Sequence, residues 1–124
     1  MLDRKDKLYL TPAEKLIMRI IWLADHELVL NEILSAANSD YAKAWKPQTV
    51  STYLSHLVQK GYLNMEREGK YCKYSPLVSL EVYLSYDIRN FAEFWGLDAQ
   101  ALEEAICKDA VKAKDPERKL IHQV

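Results

Sequence analysis

The chain has 124 residues, 49% of them hydrophobic and 28% charged. That is the balance of one compact globular domain with a short appendage, which excludes a disordered or fibrous protein. The net charge of −1 excludes binding of nucleic acid by bulk charge, but the charge is unevenly spread: from Lys43 to Tyr74 six cations (Lys43, Lys46, Lys60, Arg67, Lys70, Lys73) meet two anions (Glu66, Glu68), a local +4 that leaves −5 elsewhere.

Thr11-Pro12-Ala13-Glu14 predicts a helix start, with a hydroxyl to cap, Pro at the first helical position and Glu three residues after the cap. Ala13, Leu16, Ile17, Ile20, Ile21 and Ala24 then recur at helical spacing as far as Asp25-His26, with Trp22 at the flank of the stripe. Leu30, Ile33, Leu34 and Ala37 predict a second helix of about two turns, too short to stand without tertiary packing. A third starts at Trp45-Lys46-Pro47 and turns Val50, Leu54, Leu57 and Val58 inward. Its opposite face carries Gln48, Ser51, Thr52, Ser55, His56 and Gln59, with no carboxylate and little bulk. Such side chains approach a phosphate or a base edge without repulsion; the plainer alternative is a polar helix of low charge.

Gly61 predicts the helix stop, and Tyr62–Arg67 and Lys70–Ser75 read as two strands joined through Glu68-Gly69. The expected fold class is therefore mainly α with a small β-hairpin: a winged helix-turn-helix DNA-binding domain over residues 1–76, whose third helix enters the major groove. Beyond Pro76 the composition changes. Ser79 starts a helix with Leu80, Tyr83, Leu84, Asp87, Ile88, Phe91, Phe94 and Trp95 on a broad stripe; Gly96 ends it, Asp98 caps the next, and Leu102, Ala105, Ile106 and Ala110 follow. Faces this aromatic need a cover, and a twofold dimer is the commonest solution. Residues 77–112 are thus expected to form a helical dimerisation module, with Leu80, Tyr83, Leu84, Ile88, Phe91, Phe94, Trp95, Leu102 and Ile106 at the interface, and 113–124 a mobile tail. A ligand pocket among Tyr83, Tyr86, Phe91, Phe94 and Trp95 is the less favoured reading of the same aromatics.

Nothing favours an enzyme: there is no Gly-rich phosphate loop or HExxH, and His26, His56 and His122 are scattered. Cys72 and Cys107 lie far apart, so no metal site or cofactor is expected. Lys70 and Lys73 near Cys72 would favour a thiolate, though a small strand residue is the simpler reading. No apolar run approaches the roughly 18 residues of a membrane span, and Met1–Lys7 lacks the apolar core of a signal peptide, so a cytoplasmic protein with no membrane partner is expected.

The order and spacing of Leu10-Thr11-Pro12-Ala13-Glu14, Ile17-Met18, Ile21-Trp22, Trp45, Thr49-Val50, Thr52, Leu54, Leu57, Lys60-Gly61-Tyr62-Leu63, Glu68-Gly69-Lys70 and Tyr74-Ser75-Pro76-Leu77-Val78 resemble the penicillinase and methicillin repressor family (the BlaI/MecI repressors, with the copper-responsive CopY branch). The resemblance spans roughly residues 8 to 106. It implies a homodimeric repressor that occludes a promoter at palindromes of TACA/TGTA half-sites in double-stranded operator DNA. By position, the contacts it implies are Lys46, Gln48, Thr49, Ser51 and Thr52, with Arg67, Lys70 and Lys73 in the wing; Ser55 and His56 complete the candidate face. Thr49 is the implied base or methyl contact. Ser51 and His56 stand where the family commonly carries arginine, and Lys46 replaces a small hydroxyl residue. In the β-lactam branch a sensor triggers cleavage of an Asn-Phe bond; alignment puts that bond near Glu104-Ala105-Ile106, so Asn90-Phe91 reads as coincidence and a sensor or protease partner stays unidentified. Cys107 alone cannot supply the paired cysteines of the copper branch. The rival reading is a winged-helix adaptor for protein contact.

Overall fold

The computed structural model describes residues 7–112, with side chains to residue 106; the expected tail at 113–124 and the side chains of Cys107 and Ala110 lie outside the described residues. In chain order the elements are α1 (Pro12–Leu23), β1 (Leu28–Val29), α2 (Leu30–Asp40), α3 (Pro47–Gln59), β2 (Leu63–Glu68), β3 (Tyr71–Pro76), α4 (Leu80–Trp95) and α5 (Ala99–Lys112). The order helix, short strand, two helices and hairpin is a winged helix.

The expected hairpin is one part of a three-stranded antiparallel sheet of order β1-β3-β2. Leu28 pairs with Tyr74 and Val29 with Lys73, and a two-residue strand without alternation gives no periodic signal in sequence. The hairpin turn is Gly69-Lys70 rather than Glu68-Gly69, because Glu68 already pairs with Tyr71. Gly69 takes φ +64 while Lys70 does not turn positive, the pattern of a type II′ turn with Gly at its first central position. α2 has 11 residues rather than two turns. Glu32 extends its start by accepting the Val29 N–H at 3.0 Å.

α1, α2 and α3 close one core around side chains with no exposed surface, among them Ile17, Met18, Ile33, Leu54, Leu57 and Tyr62. Each contributes on the order of 1.5–3 kcal/mol by burial. The buried stripe of α1 differs from expectation: Ala13, Leu16 and Ala24 are half-buried, while Met18 and Glu14 go inside. Trp22 sits at the flank, its ring edge-on to Tyr62 at 6.2 Å and its Nε1 donating to the Val78 carbonyl at 2.9 Å. Together with the Leu77 N–H bonded to the Tyr62 carbonyl, this holds residues 77 and 78 on the winged helix. The compact unit accordingly runs through Val82, past the expected boundary at Pro76, and a second unit begins at Tyr83.

Glu14 is a buried carboxylate, 3% exposed, because it completes the α1 capping box. Its Oε1 accepts the Thr11 N–H at 2.9 Å, while Thr11 Oγ1 accepts the Glu14 N–H at 3.3 Å. The same Oε1 takes Lys60 Nζ at 2.6 Å, and Lys60 also donates to the Tyr9 carbonyl at 3.2 Å. Burial alone would raise the carboxyl pKa, but the Lys60 and Thr11 bonds outweigh it and hold it below 4.5. A depressed acid stabilises the fold above its unfolded pKa and loses that contribution as pH falls through the folded value. Glu14→Gln is therefore expected to cost about 2 kcal/mol at pH 7, the scale of a hydrogen bond to a charged group. In urea unfolding the gap from wild type should narrow below pH 4.5; a gap that widens on acidification would refute this account of Glu14.

In the second unit, Ser85 Oγ donates to Glu103 Oε1 at 2.5 Å and joins α4 to α5. Within the single chain α4 buries Tyr83, Tyr86 and Ala92. Of the expected apolar stripe, Leu84, Phe91, Phe94, Trp95 and Ile106 are exposed, and Leu80, Ile88 and Leu102 are half-buried.

Candidate nucleic-acid interface

α3 divides cleanly into two faces. Val50, Leu54 and Leu57 are fully buried, which fixes the rotation of the helix and turns Gln48, Thr52, Ser55, His56 and Gln59 to solvent, with Thr49 and Ser51 half-buried beside them. The helix starts at Pro47 after an extended Lys46 that makes no side-chain cap bond. Pro47 has no N–H, and the Gln48 N–H has no partner among the described residues, so a donor stays open at the positive end of the helix, where anions are favoured. Thr52 donates its hydroxyl proton to the Gln48 carbonyl at 3.0 Å; its oxygen remains an acceptor. His56 occupies the last turn of α3, where its carbonyl accepts the Lys60 N–H at 2.9 Å, and its side chain makes no hydrogen bond or ion pair among the described residues.

In the hairpin, side chains alternate between faces. Register places Leu63, Met65, Arg67, Cys72 and Tyr74 on one face, and Asn64, Glu66, Glu68, Tyr71, Lys73 and Ser75 on the other. The wing candidates therefore separate. Arg67 shares its face with Cys72; Lys73 lies opposite Glu66 and is bonded to Glu68 at 2.8 Å. Each shifts the other's titration through that hydrogen bond, with Glu68 lowered and Lys73 raised. Lys70 stands in the turn with Nζ 5.9 Å from the Tyr71 ring centre.

Of the six cations that gave this segment its local charge, Lys60 is held by Glu14 and Lys73 by Glu68. Among the described residues Lys43, Lys46, Arg67 and Lys70 have no ion pair, so these four are free to neutralise an external anion. Sequence reasoning missed a second feature: Asn38 of α2 bonds the Trp45 backbone just before α3. No motif marks it. Among the described residues no group of three His, Cys, Asp or Glu side chains could hold a metal, and no helix is long and apolar enough to cross a membrane.

A family model described as penicillinase repressor matches residues 10–123. The penicillinase repressor of Bacillus licheniformis is 28% identical over 82 residues, 66% of this chain and 62% of that protein. The methicillin resistance regulatory protein MecI of Staphylococcus aureus (strain N315) is 29% identical over 69 residues, 56% of this chain and 54% of that one. The chain thus spans less than two thirds of the length of these relatives. Among solved structures, the DNA-binding domain of the repressor BlaI superposes with a TM-score of 0.53 at 29% identity, covering 61% of this chain and 89% of that one. The monomeric form of Bacillus licheniformis BlaI in complex with the blaP half-operator gives 0.50 at 29% identity, covering 60% and 88%.

Proposed function

The chain belongs to the penicillinase repressor family, and from that premise we propose that it is a cytoplasmic, homodimeric transcriptional repressor, a regulator rather than an enzyme, that binds a palindromic operator. One observation carries the reading: the solvent face of α3 holds no carboxylate, while four cations in the same segment have no ion pair among the described residues. A helix that merely faces water usually carries both signs of charge. Gln48, Thr49, Ser51 and Thr52 would read base edges; Ser55 and His56 would lie along the groove; Lys46, Arg67 and Lys70 would meet phosphates. Lys73 would join them only by leaving Glu68. Residues 83–112 would supply the twofold contact.

The test is fluorescence anisotropy on a TACA/TGTA palindrome and a scrambled duplex across a range of salt. A specific regulator prefers its site by about a thousandfold or more. Thr49→Ala should weaken palindrome binding by about tenfold, within the 1–3 kcal/mol of a base contact, and leave the scrambled duplex unaffected. Lys70→Ala should weaken both duplexes alike and reduce the salt slope by about 0.9, one phosphate's share. Wild-type protein that binds neither duplex at low salt would favour the rival adaptor function, in which the α3 face meets protein.

A further inference from the structure

The turn between α2 and α3 is held from outside the helix it introduces. α3 has no side-chain cap of its own, since Lys46 makes no such bond. Asn38, near the end of α2, instead takes hold of Trp45, the residue before that N-cap, with both ends of its amide. Nδ2 donates to the Trp45 carbonyl at 3.0 Å and Oδ1 accepts the Trp45 N–H at 2.9 Å. One backbone donor and one backbone acceptor fix the orientation of the amide. The chain upstream is as closely defined. The N–H groups of Tyr41 and Lys43 both donate to the Ala37 carbonyl, at 3.3 and 3.2 Å, and Ala42 between them adopts φ 55, a left-handed conformation that a residue with a Cβ keeps only when its surroundings impose it. Tyr41 is tied back to α1 through the Arg19 guanidinium. On the other side the Trp45 ring lies 5.4 Å from that of Tyr53 in α3, and Lys43 Nζ sits 5.8 Å from the Trp45 ring centre.

We propose that Asn38 is a positioning residue for operator recognition: its two-bond grip on Trp45 sets the direction in which α3 leaves the turn, and hence where Gln48 and Thr49 meet the base edges. The inference rests on the DNA-binding function above. Base contacts need short polar side chains placed within about 0.5 Å, and their hydrogen bonds weaken steeply away from good geometry. Lysines reach phosphates as point charges on flexible stems and tolerate a shifted helix. Loss of the grip should therefore reduce discrimination between sequences more than the salt-dependent part of binding.

The probe is a duplex that wild-type protein enriches from a random-sequence pool, with its scrambled counterpart. Alanine's helix propensity offsets part of the lost bonding at this helical position, so Asn38→Ala should melt close to wild type; Asn38→Ser is a second, milder removal of the grip. Either variant should bind the enriched duplex about tenfold more weakly, with scrambled-duplex affinity and salt slope unchanged within about twofold. The discriminating step is a double-mutant cycle with Thr49→Ala. If Asn38 acts by placing Thr49, its tenfold effect should shrink below about threefold in the Thr49→Ala background, because coupled sites are not additive. Unchanged affinity for the enriched duplex, equal losses on both duplexes, full additivity with Thr49→Ala, or unfolding of both Asn38 variants would each overturn the positioning role. If wild-type protein enriches no duplex, the DNA-binding function fails in the wild type itself, and the role of Asn38 falls with it.

Discussion

A chain carrying both Phe91→Glu and Trp95→Glu is expected to be a monomer and to bind the palindrome at least about 100-fold more weakly than wild type. Leu84, Phe91 and Trp95 are separated by seven and four residues, so they lie along one seam of α4, with Phe94 next to it. All four are exposed in the single chain, Phe94 and Trp95 at 62%. Phe94 meets Trp95 edge-to-face at 5.0 Å, which packs the rings into a continuous apolar ridge rather than scattered contacts. Ridges of this kind mark interaction surfaces. A second copy is the simplest cover, since in a twofold contact each ridge meets its own likeness. The same symmetry makes the substitution severe: each introduced glutamate enters the contact twice, once from each chain, so four uncompensated carboxylates are brought into one desolvated apolar patch. Because these side chains are exposed in the single chain, the melting temperature of the winged helix should change little. The affinity loss follows from separating two half-site readers, where linkage contributes 10²–10⁴ through effective concentration. Sedimentation equilibrium reads the outcome directly, and a double variant that remains dimeric would exclude the ridge as the interface.

The winged helix was legible in sequence wherever local chemistry dictated it. Thr11-Pro12-Ala13-Glu14 forms the full capping box, Pro47 begins α3, and Gly61 follows it with φ 82. Long-range pairing was not legible. β1 exists because Leu28 and Val29 meet Tyr74 and Lys73, residues far away in the chain. The burial of Glu14 was likewise hidden, since its counter-charge is Lys60; sequence showed a cap and not the ion pair that makes burial of the cap tolerable. On α4, periodicity marked a broad stripe but could not divide it. The structure sends Tyr83, Tyr86 and Ala92 inward and leaves Phe91, Phe94 and Trp95 outside, because a helix with apolar residues over so wide an arc can present one side to its own unit and another to a partner.

The candidate site shows the same division. Which α3 residues face outward follows from 3.6-residue periodicity, and the structure places Gln48, Thr52, Ser55 and His56 there. Charge counting could not tell that Lys60 and Lys73 are already engaged, because ion pairing depends on partners at 46 residues' distance for Lys60 and on strand register for Lys73. The Asn38 grip lacks a sequence signal for a related reason. A lone Asn at a helix end reads as a turn residue, and its partner is a backbone rather than a side chain.

Arginine at Ser51 and His56 together is expected to tighten DNA binding and steepen its salt dependence. The α3 face carries no lysine or arginine, so each arginine added there that reaches a phosphate releases its share of counterions. With a slope near −0.9 per phosphate, two contacts make log K fall more steeply by about 1.8 per decade of salt. Relative to 1 M salt this gives up to about 200-fold tighter binding at 50 mM and about 20-fold at 200 mM. Ordering two long side chains lowers both figures, but the roughly tenfold shrinkage between the two salt concentrations depends on the slope alone. The palindrome and the scrambled duplex should gain equally if the new arginines meet phosphates, since phosphate contacts carry no sequence information. A gain confined to the palindrome would place one arginine on a guanine edge and put the solvent face of α3 deeper in the groove. An unchanged salt slope in the double variant would mean that this face does not meet the duplex. Binding by wild type would then rest on the wing and Lys46, and the carboxylate-free surface of α3 would belong to a protein contact.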